Sequence, residues 1–335
     1  MKAIQFQPGL SLDHPNVALE VDLPTPTPTG HDILVKIEAV GLNPVDTKVR
    51  PKADAAPKTL GFDAAGVVAA IGDAVTLFKV GDPVYYAGDI TRPGSNADFQ
   101  LVDERIAALR PQSLDAAASA ALPLTSLTAW ESLFDRLPID PDADNSGQSL
   151  LIIGGAGGVG SIGIQLAKLA GLTVIATSSR PESTAWCLEL GADHVVNHRE
   201  PIGPQLEKLG IPQVNYIANF NNTETYWETM GQVIAPQGHI VLIVEQVGTL
   251  DIGGPYKLKS VGIAWELMFT RSLFKTKDIA KQHEILTRVA GLIDAGKLKS
   301  TGTQTLSPLN AANLVKAHAL IESGRTIGKL VIKKQ

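Results

Sequence analysis

Residues 154–163 read GGAGGVGSIG. They follow the apolar run SLLII and precede a segment in which Ile162, Ile164, Leu166, Ala167 and Leu169 recur at helical spacing. Gly155, Gly157 and Gly160 fit the pattern G-x-G-x-x-G, which alone is weak because glycines gather in loops. Here it closes a strand, opens a helix and leads to a second strand, TVIAT, so the unit reads as βαβ. In that setting Gly155 permits a tight turn, Gly157 lets the backbone approach a pyrophosphate, and Gly160 lets helix and strand pack closely. The first-turn amides of Gly158, Val159 and Gly160 and the positive helix end then favour a phosphate.

The alternation continues through a helix from Pro181 to Leu190, then DHVVN, VNYIAN and HIVLIV. Apolar strands separated by amphipathic helices predict an α/β fold with a doubly wound parallel sheet covered on both faces. Residues 1 to about 125 differ. DILVKIEAVG, AAGVVAAIG and DPVYYAG are short strand-like runs punctuated by Pro24, Pro26, Pro28, Gly41, Gly61, Gly72 and Gly81, which predicts a β-rich domain. Towards the C-terminus the pattern predicts an extended stretch over 258–274, a long helix over about 276–295, a short helix from near Pro308 and a final strand, GKLVI.

A chain of 335 residues is long enough for two domains with real cores. Its net charge of -5 argues against a nucleic-acid or basic membrane-binding role. Cys187 is the single cysteine, so no internal disulfide forms. With no signal-peptide pattern or long apolar stretch, a reducing cytoplasmic setting is expected.

The end of the second strand selects the dinucleotide. An NAD site usually carries Asp or Glu there, to accept hydrogen bonds from the ribose hydroxyls. This chain reads TSSRPES instead. Ser178 and Ser179 are small donors and Arg180 can pair with a 2′-phosphate, so NADPH is the expected cofactor. The alternative is an Arg180 that merely precedes the next helix in solvent. Phe220 and Asn221 follow VNYIAN and Val244 ends HIVLIV, at the carboxyl ends where such sheets place ligands.

The whole chain resembles the medium-chain dehydrogenase/reductases, and within them the zinc-independent quinone oxidoreductase branch, whose members include zinc-type alcohol dehydrogenase-like proteins. The matching residues are GLNPVDTKVR (41–50), GFDAAGVV (61–68), RPGSNADFQLVDE (92–104), ALPLTSLTAWESLFDRL (121–137), GGAGGVGS (154–161) and GRTIGKLVI (324–332). The resemblance implies a chaperonin-10-like catalytic domain over 1–125 and 270–335, a Rossmann domain over 126–269, and an active-site cleft at their junction.

It also makes the departures informative. Zinc enzymes of the superfamily place a Cys where this chain reads Asn43 to Asp46, and a His where it reads Phe62. A phenyl ring cannot ligate a metal, and one cysteine excludes a four-cysteine site. Histidines 14, 31, 194, 198, 239, 283 and 318 show no ligand spacing, and Asp46 and Asp63 read as turn or cap residues. No metal is expected.

Without a Lewis acid, alcohol oxidation is disfavoured, whereas quinones and α,β-unsaturated carbonyls carry their own electron sink. The expected activity is therefore an NADPH-dependent quinone or enone reductase acting by proximity. An NADPH-binding redox-sensing or structural protein with little turnover, and a zinc-dependent alcohol dehydrogenase, are the alternatives. The resemblance proposes Asn43 and Thr128 as positioning residues for the nicotinamide or substrate, and His198 as a neighbour of the adenosine phosphate. It also proposes Arg325 and Lys329 as cofactor contacts from the last turn and strand. Tyr85 and Tyr86 offer a polar edge for substrate, and strand alternation predicts that only one of them turns inward. Trp265, Met268 and Phe269 lie in an apolar segment that, in this superfamily, tends to pair across a dimer axis. A homodimer is the expected assembly.

Overall fold

A computed structural model describes all 335 residues, and the chain divides into two units: residues 1–127 with 269–335, and residues 128–268. The sequence-based boundaries are 125/126 and 269/270.

In the first unit, Gly and Pro cut the chain into short strands: β1 (Lys2–Phe6), β2 (Ala18–Asp22), β3 (Asp32–Gly41), β4 (Lys58–Thr59), β5 (Asp63–Ile71), β6 (Pro83–Tyr86), β7 (Phe99–Asp103) and β8 (Ala107–Leu109). Helix α1 (Pro44–Lys48) leaves β3 at once, and α2 (Ala116–Ala120) and α3 (Pro123–Trp130) follow β8. Strands β2, β1 and β4 form a small sheet. Along β3, seven of ten residues are buried, Ile33, Val35, Ile37 and Val40 among them, and only Lys36 is exposed, so both faces of the strand are largely covered.

The second unit holds the repeating strands and helices. They are β9 (Ser149–Ile153), α4 (Gly158–Leu169), β10 (Thr173–Ser178), α5 (Pro181–Glu189), β11 (His194–Asn197), α6 (Ile202–Lys208), β12 (Val214–Asn219), α7 (Thr223–Val233), β13 (Ile234–Leu242), α8 (Gly254–Leu258) and β14 (Gly262–Trp265). Every pairing is parallel, in the order β11-β10-β9-β12-β13-β14, which is the Rossmann arrangement. All five residues of β9 are buried, which explains its uninterrupted apolar sequence. Strand β14 is an edge, with Ile263 and Trp265 exposed.

The chain then returns to the first unit through α9 (Thr270–Phe274), α10 (Lys281–Asp294), β15 (Gly302–Leu306), α11 (Ala311–Glu322) and β16 (Lys329–Lys333). Strand β16 pairs antiparallel with β3 and parallel with β15, completing the sheet β15-β16-β3-β5-β6-β8, with β7 on β3. Ile285, Leu286, Val289, Ala290 and Ile293 form the buried face of α10 at helical spacing.

Three expectations are corrected here. The stretch 258–274 is not extended throughout: only Gly262–Trp265 form a strand, because Ser260 takes a left-handed conformation (φ 53) after α8 and a helix starts at Thr270. The long helix begins at Lys281 rather than 276. The last helix begins at Ala311, where the Asn310 side chain accepts the Asn313 N–H at 2.8 Å. No helix is long and apolar enough to cross a membrane.

Candidate functional site

In the second unit the glycine loop sits at the carboxyl end of β9, where β10 lies on one side and β12 on the other, the point at which strand order reverses. Gly154 has φ +87 and donates its N–H to Thr177 Oγ1 at 3.0 Å. A Cβ on Gly155 would lie 2.7 Å from Ala176 Cβ, and one on Gly160 would lie 2.3 Å from the Gly154 carbonyl oxygen. Both positions exclude side chains by protein contact. Gly157 is different: its Cβ would meet only the Gly154 oxygen, at 3.4 Å. The space there is open, and it adjoins the first-turn N–H groups of α4, which have no intrahelical acceptor. A pyrophosphate fits that combination of open backbone and free amides.

Neighbouring elements complete the cradle. The Phe220 N–H donates to Ile153 O at 3.0 Å, and the Phe220 oxygen and Asn221 Cβ lie beside Gly154. Val244, two residues past β13, accepts a hydrogen bond from Thr223 Oγ1 through its carbonyl. At the end of β10 no carboxylate follows. Ser178 is buried with its hydroxyl against Thr184 Oγ1 at 2.6 Å, so it faces α5 rather than a ligand. Ser179 is half-buried. Arg180 caps α5 and its Nε lies 3.4 Å from Glu182 Oε1, an ion pair of the partly exposed kind worth about 0–1 kcal/mol. His198 is exposed and its N–H reaches the Ser178 oxygen at 3.3 Å. Thr128 is buried within α3. Arg325, in the first unit, is exposed before β16.

The first unit contains a polar cluster that sequence reasoning did not assemble. Asn43 starts α1, with Pro44 at the first helical position, and its N–H donates to Asp46 Oδ2 at 2.8 Å. The Asn43 side chain turns elsewhere: Nδ2 donates to Asp63 Oδ2 at 2.8 Å and Oδ1 accepts from Lys329 Nζ at 2.6 Å. The ammonium also donates to Asp63 Oδ2 at 2.9 Å and Leu42 O at 2.7 Å. Asp63 Oδ1 accepts the Leu124 N–H at 2.6 Å. Lys329 is 3% exposed, and Asp46 and Asp63 are 0% exposed. Burial pushes the Asp46 carboxyl up to about 7, partly opposed by the Asn43 N–H and Lys329, while Asp63 adds to the rise.

These contacts correct two assignments. All three ammonium donors of Lys329 are occupied inside the unit, which leaves none for a cofactor. Asn43 likewise holds protein groups rather than a free carboxamide. The tyrosine expectation also fails, because both Tyr85 and Tyr86 are fully buried. Tyr85 donates to Leu286 O on α10 at 2.6 Å, Tyr86 lies in the apolar core, and burial raises both phenol pKa values. Both faces of β6 are covered, so alternation turns neither ring to solvent.

Zinc does not fit these residues. No group of three or more His, Cys, Asp or Glu side chains is arranged to hold a metal ion. Phe62 is buried edge-on to Phe269, ring centroids 5.1 Å apart, and both rings belong to the first unit. Cys187 lies under Gly155 in the second unit, its thiol pushed up to about 11 by burial, far from the thiolate a metal requires. Of the histidines, His31 bonds Glu104 and His283 bonds Ala107 O, each at 2.7 Å.

Residues 29–105 match the alcohol dehydrogenase GroES-like domain, and residues 190–332 match the zinc-binding dehydrogenase family. A zinc-type alcohol dehydrogenase-like protein of Staphylococcus aureus is 46% identical over 334 residues, covering 99% of both chains. The crystal structure of a candidate zinc-dependent alcohol dehydrogenase from Rhizobium etli superposes with a TM-score of 0.94 at 47% identity, covering 99% of this chain and 98% of that one. The Escherichia coli quinone oxidoreductase complexed with NADPH superposes with a TM-score of 0.83 at 25% identity, covering 99% and 100%.

Proposed function

Because the chain belongs to the medium-chain dehydrogenase/reductase superfamily, among its zinc-type alcohol dehydrogenase-like oxidoreductases, we propose that it is an NADPH-dependent reductase of quinones or α,β-unsaturated carbonyls that uses no metal ion. The observation that carries the reading is the open glycine cradle at β9, followed at the end of β10 by Ser179 and Arg180 where a carboxylate would select NADH. The E. coli quinone oxidoreductase, which binds NADPH, supports it by its similar fold.

Bound NADPH supplies hydride. The first-turn amides of α4 would hold the pyrophosphate, and the open face at Gly157 would admit it. Arg180, at the end of β10, would supply a charge-assisted bond to the 2′-phosphate. The residues at hand offer no Lewis acid and no free carboxamide from Asn43 to polarise a simple ketone. An acceptor whose own conjugation absorbs the incoming charge needs neither.

NADPH should bind more tightly than NADH, and Arg180→Glu should narrow or invert that preference by about ten- to a hundred-fold, for the loss of about 1.5–3 kcal/mol from one charged hydrogen bond. In the same titrated enzyme, NADPH should be consumed with 1,4-benzoquinone or an enone, and ethanol should not reduce NADP. Equal dissociation constants for the two cofactors, or ethanol oxidised faster than either acceptor is reduced, would remove the proposal. Cofactor binding without turnover of any acceptor would favour the redox-sensing alternative.

The open edge of β14, carrying Ile263 and Trp265, suits pairing with the same strand of a second copy, which satisfies its free backbone groups. A homodimer in sedimentation, reduced to monomer by Ile263→Pro, is the expected result. A native chain that sediments as a monomer at micromolar concentration rules this out.

A further inference from the structure

The donor set that fails to fit zinc is not an empty polar pocket, because it already surrounds a cation. Leu42 O, Asn43 Oδ1 and Asp63 Oδ2 stand 2.6–2.9 Å from Lys329 Nζ, one oxygen for each ammonium hydrogen. The four residues come from the end of β3, the turn into α1, the start of β5 and the start of β16. Asp63 is held from its other side by the Leu124 N–H, and the second carboxylate, Asp46, lies one backbone hydrogen bond away through Asn43. We propose that Lys329 is the resident cation of this oxygen cluster: the cage is built around a covalently tethered ammonium instead of a metal ion. The inference stands independently of the reductase reading.

The chemistry fits an ammonium. Asn43 is fixed in one orientation, oxygen towards the cation and nitrogen towards the carboxylate, so the three groups form a closed triangle of hydrogen bonds. Three oxygens at these distances match N–H donors, whereas a calcium-sized ion needs six to eight oxygens at 2.3–2.6 Å and zinc prefers nitrogen and sulfur. A lysine buried at the start of a strand whose next three residues, Leu330, Val331 and Ile332, are also buried would be badly placed if it were unpaired. Buried pairs of this kind are weak evidence of net stability, but removing one partner leaves the other uncompensated.

The test is a double-mutant melting series, with metal content read separately. Lys329→Met keeps the stem and deletes the charge. At pH 8 it should melt about 10 °C below the native chain, and the gap should shrink towards pH 5. The sign follows from Asp46, whose carboxyl burial raises and Lys329 lowers: without the ammonium the folded variant holds that proton to higher pH than the unfolded chain does, so stability is present at low pH and lost as pH rises. Asp46 is present in every variant, and since the Asp63 charge adds to the rise of its carboxyl, Asp63→Asn relieves part of that rise. Adding Asp63→Asn to Lys329→Met should recover at least half of the loss at pH 8, because the orphaned charge is gone. Should Lys329→Met fail to fold, recovery of soluble protein in the double variant carries the same conclusion. The proposal is overturned if the single variant follows the native pH profile, or if the double variant is no better than the single. It is also overturned if native protein dialysed against zinc holds one tight ion per chain.

Discussion

Gly157→Ala is expected to melt with the native chain yet bind NADPH about ten- to a hundred-fold more weakly, whereas Gly160→Ala is expected to lose both stability and affinity. The two glycines are three residues apart in one loop, and a substitution at each adds the same methyl group. At Gly160 that methyl would sit 2.3 Å from the Gly154 oxygen and 2.7 Å from Gly155 Cα, so helix and loop must part. Overpacking of this sort costs about 1–3 kcal/mol. At Gly157 the methyl meets one oxygen at ordinary contact distance and otherwise points into open space. Nothing in the folded chain objects to it; only a ligand lying against the backbone does. Calorimetric titration of NADPH beside a melting curve separates the two cases. A Gly157→Ala protein with native affinity would show that the loop does not receive a pyrophosphate there.

The second large effect is on acid stability. His318 on α11 is fully buried, stacked on Phe6 with ring centroids 4.4 Å apart, and neither ring nitrogen has a hydrogen-bond partner. Burial, with Arg50 adding to it, pushes its pKa down to about 3 from an ordinary 6.5. Between those values the unfolded chain takes up a proton that the folded chain refuses, so stability is intact above pH 6.5 and falls as pH drops towards 3. The contribution is about 2 kcal/mol at pH 5, from the linkage relation, and grows below it. His318→Leu should abolish this part of the acid sensitivity. Urea unfolding at pH 5 and pH 8 for both proteins provides the measurement, and an unchanged difference between the two pH values contradicts the account.

The fold was legible where local pattern and burial agree. SLLII, TVIAT and VNYIAN are apolar because both sheet faces are covered, and each is a strand. Strand β15, GTQTL, was invisible because it is an almost wholly exposed edge with no apolar periodicity. The glycine loop could be read because its residues are adjacent in sequence. The Asn43, Asp46, Asp63 and Lys329 cluster could not, since its members converge only through the pairing of β3 with β5 and β16. A signal was present all the same. Lys329 opens an apolar strand, and Asp63 opens another, and a charge at such a position asks for a partner. Tyr85 and Tyr86 misled because alternation distinguishes two faces but does not say that either is wet.

The placement of β16 has a consequence for how the protein is made. Its strand lies between β15 and β3, inside the larger sheet rather than at its edge, and Lys329 bonds Leu42 across 287 positions of sequence. At a synthesis rate of about 5–20 residues per second, β3 leaves the ribosome roughly a quarter of a minute to a minute before the strand that covers its flank. During that interval the first unit carries an open strand edge and the Asp63 carboxylate without its counter-ion. The second unit, continuous from Thr128 to Met268, can close meanwhile. Translation therefore delivers a closed parallel-sheet unit attached to an incomplete one, and the emergence of β16 is the event that lets the older strands complete their sheet.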